Sequence, residues 1–265
     1  MADGTVDRTT VPAPPDRGPS AYIAEFIGTF GLVLFVTLAV SLFARPTPPA
    51  GLPQEFIDWS VIGLVHVFVL FMLIQTLAIV SGAHFNPAVT VALAAIREIK
   101  IVDAAIYIVV QLAGATLGAF VTKQILNNFA NADAVNYGAV AIGDGLGGQI
   151  FFQGLSVELI GTFFLMWAIV GVAVNPRSDR GWAALVIGAT LGLAVFVFGP
   201  LTGAGLNPAR AFGPALVSGE WGGFDDFTIT YVLAPVIGAV LAALVYFRMV
   251  IVPGKKGPEG MEPVG

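Results

Sequence analysis

The chain has 265 residues, 57% of them hydrophobic and 11% charged, with a formal net charge of −5 and no cysteine. Soluble domains carry about 25% charged residues, so this composition excludes a water-soluble globule and leaves an integral membrane protein. The lack of cysteine excludes disulfides, thiolate metal sites and thiol nucleophiles, and the absence of a basic patch argues against a nucleic-acid partner.

Residues 1–20, with Pro12, Pro14, Pro15 and Pro19, are expected to form a disordered tail. They hold no apolar stretch ahead of a cleavage site, so no signal peptide is expected. A bilayer core about 30 Å thick needs roughly 20 apolar residues per helix. The stretches Tyr22–Phe43, Trp59–Val80, Ile101–Ile125, Phe152–Val174, Trp182–Leu201 and Thr228–Val252 meet that test. Barrel strands would be shorter, about 9–11 residues with alternating polarity. The glycine-rich segment Gly143–Gly148 follows no strand and opens no helix, so it reads as part of an external loop rather than a phosphate site. Residues 253–265 form a second expected tail.

The two halves of the chain resemble each other. AEFIGTF at 24–30 matches VELIGTF at 157–163, which sets Glu25 opposite Glu158; SGAHFNPAVT at 81–90 matches TGAGLNPARA at 202–211; YIVVQLAGATLGA at 107–119 more weakly matches YVLAPVIGAVLAA at 231–243. Each half contains an odd number of spans, so the second enters the membrane from the opposite side, as in inverted-repeat channels and transporters. Each half also has an apolar stretch too short to span, Asn86–Ile96 and Asn207–Val217. At about 1.5 Å per residue each would reach about 16 Å, so two placed end to end match the bilayer core. Asn at a helix N-cap and Pro in its first turn are what Asn86-Pro87-Ala88 and Asn207-Pro208-Ala209 supply. Gly82, Gly203 and Gly205 suit the irregular approach to these starts. Non-helical backbone at membrane depth is tolerated only inside protein or along a wet cavity, so these two breaks mark the functional site.

The expected fold is therefore all-α, with six transmembrane helices and two half-helices meeting at mid-membrane. One channel domain would occupy 21–252, with repeats at about 21–126 and 152–252 and an external loop at 127–151. With both termini inside, Arg8, Arg17, Arg97, Lys100, Arg177, Arg180, Arg248, Lys255 and Lys256 fall on the inner side and only Arg45 and Lys123 on the outer. That bias sets the termini in the cytoplasm. The lack of a targeting segment and the short tails suggest a bacterial inner membrane.

The paired motifs SGAHFNPAVT and TGAGLNPARAFGPA, with Glu25 and Glu158 in spans one and four, make the region 21–252 similar to the aquaporin, or major intrinsic protein, family. The resemblance implies a right-handed helical bundle, usually a homotetramer with a pore in each subunit. It implies that Asn86 and Asn207 donate hydrogen bonds to a passing solute at the pore centre. It also implies a narrow filter of His66, Val195, Ala204 and Arg210. His84, Glu25 and Glu158 are expected to brace the approach loops rather than to carry protons. Half-helices with their positive ends at the midplane, and an arginine beside them, repel cations and protons while neutral solutes lose little.

A filter of His, Val, Ala and Arg most resembles the plant vacuolar-membrane branch, whose members pass water and often ammonia, urea or hydrogen peroxide. Ala211 and Ala215 depart from the pattern of glycerol facilitators, while Ala211 and Val232 also depart from that of strict water channels. The expectation is a passive channel for water and other small neutral solutes that excludes protons and ions. A glycerol or polyol facilitator is the nearest alternative, an ion-coupled secondary transporter a more distant one, and a closed structural membrane protein a third. No enzyme chemistry, cofactor or metal site is expected.

Overall fold

The structure, a computed structural model, describes residues 16–44, 54–143 and 150–251. Most of both expected tails, Arg45 and residues 144–149 of the glycine-rich loop lie outside the described residues. Within them, the helices are α1 (Pro19–Phe43), α2 (Gln54–Ser81), α3 (Pro87–Ala95), α4 (Ile101–Ile125), the short α5 (Ala130–Ala134), α6 (Ile150–Ile169), α7 (Ala183–Thr202), α8 (Pro208–Ser218), the single turn α9 (Phe224–Phe227) and α10 (Ala234–Tyr246). A π-helical turn at Val170–Val174 extends α6, and another at Thr228–Leu233 joins α9 to α10. The second of these immediately precedes Pro235, whose ring cannot accept regular helix below it. Six stretches are long and apolar enough to cross a bilayer: Pro19–Phe43, Trp59–Ser81, Ile101–Ile125, Phe152–Val174, Arg180–Thr202 and Phe224–Ile251. Large apolar side chains such as Ile79, Ile101 and Phe152 lie exposed on the bundle's outside, where lipid rather than water is the neighbour.

Glycine sets how closely the helices pack. A Cβ at Gly114 or Gly118 of α4 would lie 2.5 or 2.7 Å from the carbonyls of Phe26 or Phe30 on α1. One at Gly238 of α10 would lie 2.2 Å from the Leu159 carbonyl of α6. These are equivalent helix pairs of the two repeats. Between the repeats, Gly188 and Gly192 of α7 press on the Val67 and Gly63 carbonyls of α2 in the same way. Small residues are what allow such approach where lipid provides no hydrophobic drive between helices. A buried Thr37–Thr122 hydrogen bond of 2.6 Å adds a polar tie between α1 and α4.

The half-helices lock the repeats together. Each packs on the last span of the other repeat: α3 lies against α10, and α8 against α4. Ala88, Val89 and Ala92 of α3 share a buried cluster with Ala239, Ala242 and Ala243 of α10. Ala209 of α8 is buried with Ala115 and Ala119 of α4. A Cβ at Gly213 would stand 2.5 Å from the Ala115 carbonyl, so α8 also needs its glycine. The two helix starts are thereby brought face to face in the middle of the bundle.

Candidate functional site: a conduit through the half-helix junction

Local chemistry starts each half-helix. Asn86 Oδ1 accepts from Ala88 N at 2.9 Å, and Asn207 Oδ1 accepts from Ala209 N at 3.0 Å and Arg210 N at 3.3 Å. These are side-chain N-caps, with proline in the first turn. Each amide also crosses the repeat boundary. Asn86 Nδ2 donates to the Leu206 carbonyl at 2.9 Å, and Asn207 Nδ2 donates to the Phe85 carbonyl at 2.8 Å. An Asn amide has two N–H groups, so each keeps one that no acceptor among the described residues takes, and both residues line the cavity described below.

The approach loops carry matching strain. Gly82 and Gly203 have φ of 89° and 73°, as their glycine identity suggests. The remaining left-handed positions are Ala83, Phe85, Ala204 and Leu206, with φ from 45° to 54°. Non-glycine residues hold such angles at a cost of about 1–3 kcal/mol each only when their surroundings dictate them. Gly205, expected to serve the turn, is needed for space instead: a Cβ there would lie 2.8 Å from the Tyr231 ring and 3.1 Å from Glu158 Oε2.

Two buried carboxylates dictate the loop shape. Glu25 accepts from His84 N (2.9 Å), Phe85 N (2.7 Å) and Gln111 Nε2 (2.8 Å). Glu158 accepts from Gly205 N (2.8 Å), Leu206 N (2.6 Å) and Thr202 Oγ1 (2.7 Å). These loop N–H groups have no helix to serve them. Tyr107 donates to the Ser81 carbonyl and Tyr231 to the Thr202 carbonyl, both at 2.8 Å, fixing the end of the preceding span in each repeat. Thr90 donates to the Asn86 carbonyl at 3.0 Å, so the 3.1 Å contact between His84 Nδ1 and Thr90 Oγ1 has the imidazole as donor.

A cavity of about 500 Å³ threads this junction. Its lining includes Arg17, Glu98 and Arg180 on the face where α1 starts, Asn86 and Asn207 at the middle, and His66 and Arg210 beyond them. Burial pushes the Glu98 carboxyl above the usual carboxylate range, against the opposing pull of Arg180. Neither Glu25 nor Glu158 is among the lining residues, and both are fully buried.

At the far end, Arg210 is 4% exposed and donates from Nη1 to the Gly138 carbonyl at 2.9 Å; its Nε is buried without a protein partner. His66 is 3% exposed, and its Nδ1 donates to the Ile62 carbonyl at 2.8 Å. A neutral ring then presents Nε2 as an acceptor, and that atom is likewise buried without a protein partner. His66 and Arg210 thus bring an imidazole and a guanidinium to the cavity end. Val195 and Ala204 are fully buried in the cluster that contains Ile62, Phe85 and Leu206, and do not line the cavity. Of the four expected filter residues, the structure brings His66 and Arg210 to the conduit and leaves Val195 and Ala204 packed behind it.

Several residues of this site carried no motif. Tyr107 and Tyr231 sit at matching positions of the weak third repeat, and Ser81 and Thr202 open the two strong motifs, so their pairing was visible but not their bonds. Gln111 has no counterpart, because Pro235 stands there in the second repeat. Arg17 reaches the conduit, and the Gly138 carbonyl reaches Arg210, from outside both repeats' motifs.

Six spans, two interlocked half-helices and a polar-centred conduit define an inverted-repeat membrane channel. The model of the family described as "Major intrinsic protein" matches residues 18–246. The chain is 39% identical over 236 residues to Aquaporin AqpM of Methanothermobacter thermautotrophicus, covering 84% of this chain and 94% of that protein. It is 41% identical over 224 residues to Nodulin-26 of Glycine max, covering 84% and 75% respectively. Among solved structures, the aquaglyceroporin from Plasmodium falciparum superposes with a TM-score of 0.70 at 27% identity, covering 88% of this chain and 97% of that one. The chain belongs to the major intrinsic protein family, and as such is an integral membrane channel rather than an enzyme.

Proposed function

We propose that the protein is a passive channel for water first, with leak to other small neutral solutes such as ammonia, hydrogen peroxide and urea, and that it excludes protons and ions. The observation that carries this reading is the make-up of the conduit: the Asn86 and Asn207 amides at the middle, and the guanidinium of Arg210 with the imidazole of His66 at its end. Water, which both donates and accepts, satisfies such a pair. A cation meets instead the positive ends of α3 and α8, each equivalent to roughly half an elementary charge, and then the guanidinium of Arg210. In this role Asn86 and Asn207 form the pore centre, with Pro87, Ala88, Pro208 and Ala209 shaping the two helix starts. His66 and Arg210 form the constriction, and Val195 and Ala204 set its width from behind. Glu25, Glu158 and His84 hold the loops.

Ion-coupled transport needs a titrating carboxylate on the route. Glu25 and Glu158 are tied to loop N–H groups and stand off the conduit, which favours passive flux. The polyol reading draws on the likeness to an aquaglyceroporin. Against it stand Ala211 and Ala215, and relatives that bear the name aquaporin. We further propose a homotetramer, as the family resemblance implies, in a bacterial inner membrane, with cytoplasmic termini as the charge bias suggests.

Side-by-side stopped-flow light scattering on proteoliposomes with water, glycerol, urea and ammonia tests the reading. Water flux well above protein-free vesicles, with slower glycerol entry and no ion conductance, is expected. Rapid glycerol entry with slow water flux would replace it by the polyol reading.

A further inference from the structure

The conduit's N-terminal mouth is lined by a residue that precedes the first helix. Arg17 lies ahead of Pro19, where α1 starts, yet it shares one cavity with Asn86 and Arg210. Its backbone is fastened to the bundle. Arg17 N donates to Asp103 Oδ2 at 3.4 Å. The Tyr22 hydroxyl lies 2.6 Å from Asp103 Oδ1 and 3.0 Å from the Arg17 carbonyl, either of which accepts its proton. Asp103 is 6% exposed and so forms a firm anchor. The neighbouring ion pair of Asp16 with Lys100 is solvent-exposed and adds little.

From that anchor the guanidinium turns inward. Its Nε is buried without a protein partner. A Cβ placed on Gly82 would stand 3.5 Å from Arg17 Nη2 and 3.4 Å from His84 Nε2, so both side chains close on the same glycine of the approach loop. His84 has its Nδ1 engaged with Thr90, which turns Nε2 toward this space. Arg17 lines the cavity here, so its side chain is among the groups a passing solute meets at this mouth.

We propose that Arg17 is a specificity-determining residue of the channel: a second arginine, borne on the N-terminal approach rather than on a half-helix, that narrows the inner mouth beside His84 and donates to the solute there. The inference rests on the reading of the chain as a neutral-solute channel. A planar fork of donors on a long stem fills space and orients carbonyl or hydroxyl oxygens. Water slips past it, whereas urea and glycerol must align with it. Cations meet a positive group at the mouth before they reach Arg210. Because Arg17 hangs on Asp103 and Tyr22, the restriction can be removed without touching the half-helix junction.

The cysteine-free chain allows a direct test. In Arg17→Cys the new thiol is unique. Water, urea and glycerol fluxes are measured in proteoliposomes for the full chain, for this variant, and for the variant labelled in detergent with either a trimethylammonium-bearing or a methyl methanethiosulfonate. The expected result is a severalfold rise in urea and glycerol flux, with a smaller rise for water. The cationic label should return these fluxes toward the unmutated level, and the small neutral label should leave them raised. Arg17→Lys, which keeps charge but loses the fork, and Asp103→Asn, which loosens the anchor, should each give part of the effect. Unmutated protein that conducts water, with Arg17→Cys and Arg17→Lys giving the same solute fluxes before and after labelling, would overturn the inference and leave the channel reading standing. Fluxes at the level of protein-free vesicles for every form would overturn both.

Discussion

Asn86 and Asn207 each hold the approach loop of the other: Asn86 Nδ2 bonds the Leu206 carbonyl and Asn207 Nδ2 the Phe85 carbonyl, at 2.9 and 2.8 Å. The same two side chains cap their own half-helices. One residue type thus starts a helix, closes the partner repeat's loop and keeps one N–H for the conduit. The bonds run through the pseudo-symmetry of the fold, so neither half-helix start is complete without the other.

Asn86→Ala and Asn207→Ala should therefore destabilise the protein to a similar degree. Loss of a cap costs typically about 1 kcal/mol, and loss of a neutral hydrogen bond about as much again. The double variant should depart from the sum of the singles by about 0.5 kcal/mol or more, since each side chain bonds the residue just before the other asparagine. Equilibrium unfolding in mixed micelles measures this; strict additivity would show that the two cross-repeat bonds act independently.

The loop carboxylates should be less replaceable than their threonine and glutamine partners. Glu158→Ala leaves Gly205 N, Leu206 N and Thr202 Oγ1 without their acceptor, and each buried unsatisfied donor costs about 1–3 kcal/mol. Thr202→Val leaves only Ala204 N without its acceptor and should cost less, about 1–3 kcal/mol. Glu25→Ala should match Glu158→Ala. Melting temperatures of the three variants in detergent would rank them, and Glu158→Ala as stable as Thr202→Val would contradict the assignment.

Helix contact points predict opposite outcomes for two glycines. A Cβ at Gly238 would lie 2.2 Å from the Leu159 carbonyl, so Gly238→Ala must push α6 and α10 apart, an overpacking cost of about 1–3 kcal/mol or more. At Gly31 of α1 the nearest atoms are the Leu73 methyls at 3.5 and 3.8 Å, an ordinary contact. Gly31→Ala should be neutral or stabilise by up to about 0.5–1 kcal/mol through reduced backbone entropy. Thermal stability of the two variants, assayed together, decides.

The conduit end should respond to substitution in its selectivity. Arg210→Val should admit a wider range of solutes or measurable charge, and His66→Ala should speed bulkier neutral solutes such as glycerol. Fluxes unchanged for every solute in Arg210→Val would remove that residue from the constriction, and the same outcome in His66→Ala would remove the histidine.

Behind Arg210, the loop between α4 and α6 gives a pH signature. Asp133 accepts the Tyr137 hydroxyl, and this bond holds the phenol above its ordinary range. The Lys123 ammonium lies 5.2 Å from the same ring's centroid. The folded value exceeds the unfolded one of about 10, so the bond's stabilisation is fully present below that pH and is lost as pH rises through the folded value. Ultraviolet difference titration of the unmutated protein against Asp133→Asn should show one tyrosine that ionises earlier in the variant, back toward the ordinary value. A titration identical in the two proteins would show that Asp133 does not hold the phenol. Tyr137 precedes Gly138, whose carbonyl anchors Arg210, so loosening at high pH should also blur solute selection.

Much of the architecture was legible in the residues. Six apolar stretches, two Asn-Pro-Ala starts and Glu25 opposite Glu158 are one-dimensional patterns, and hydrophobic length and repeat order are enough to set spans, half-helices and inversion. The helix limits moved by a few residues, as at Pro19 for the expected Tyr22, because end turns depend on caps and neighbours. Glycine was legible only in part. Its presence at 82 and 203 follows from the turn, but Ala83, Phe85, Ala204 and Leu206 adopt left-handed backbone that their own identities disfavour.

Composition by itself determined that the chain must live in a bilayer, since 11% charge cannot cover a soluble surface, and the repeated motifs determined where its few polar groups gather. Tertiary structure decided what those groups do. Loop angles, the crossing bonds of Asn86 and Asn207, the exchange of half-helices between repeats, the seating of Val195 and Ala204 behind the wall and the entry of Arg17 into the mouth all join residues far apart in the chain. Such contacts are set by how closely backbones approach and which buried donors find acceptors, quantities that exist only once the helices have packed.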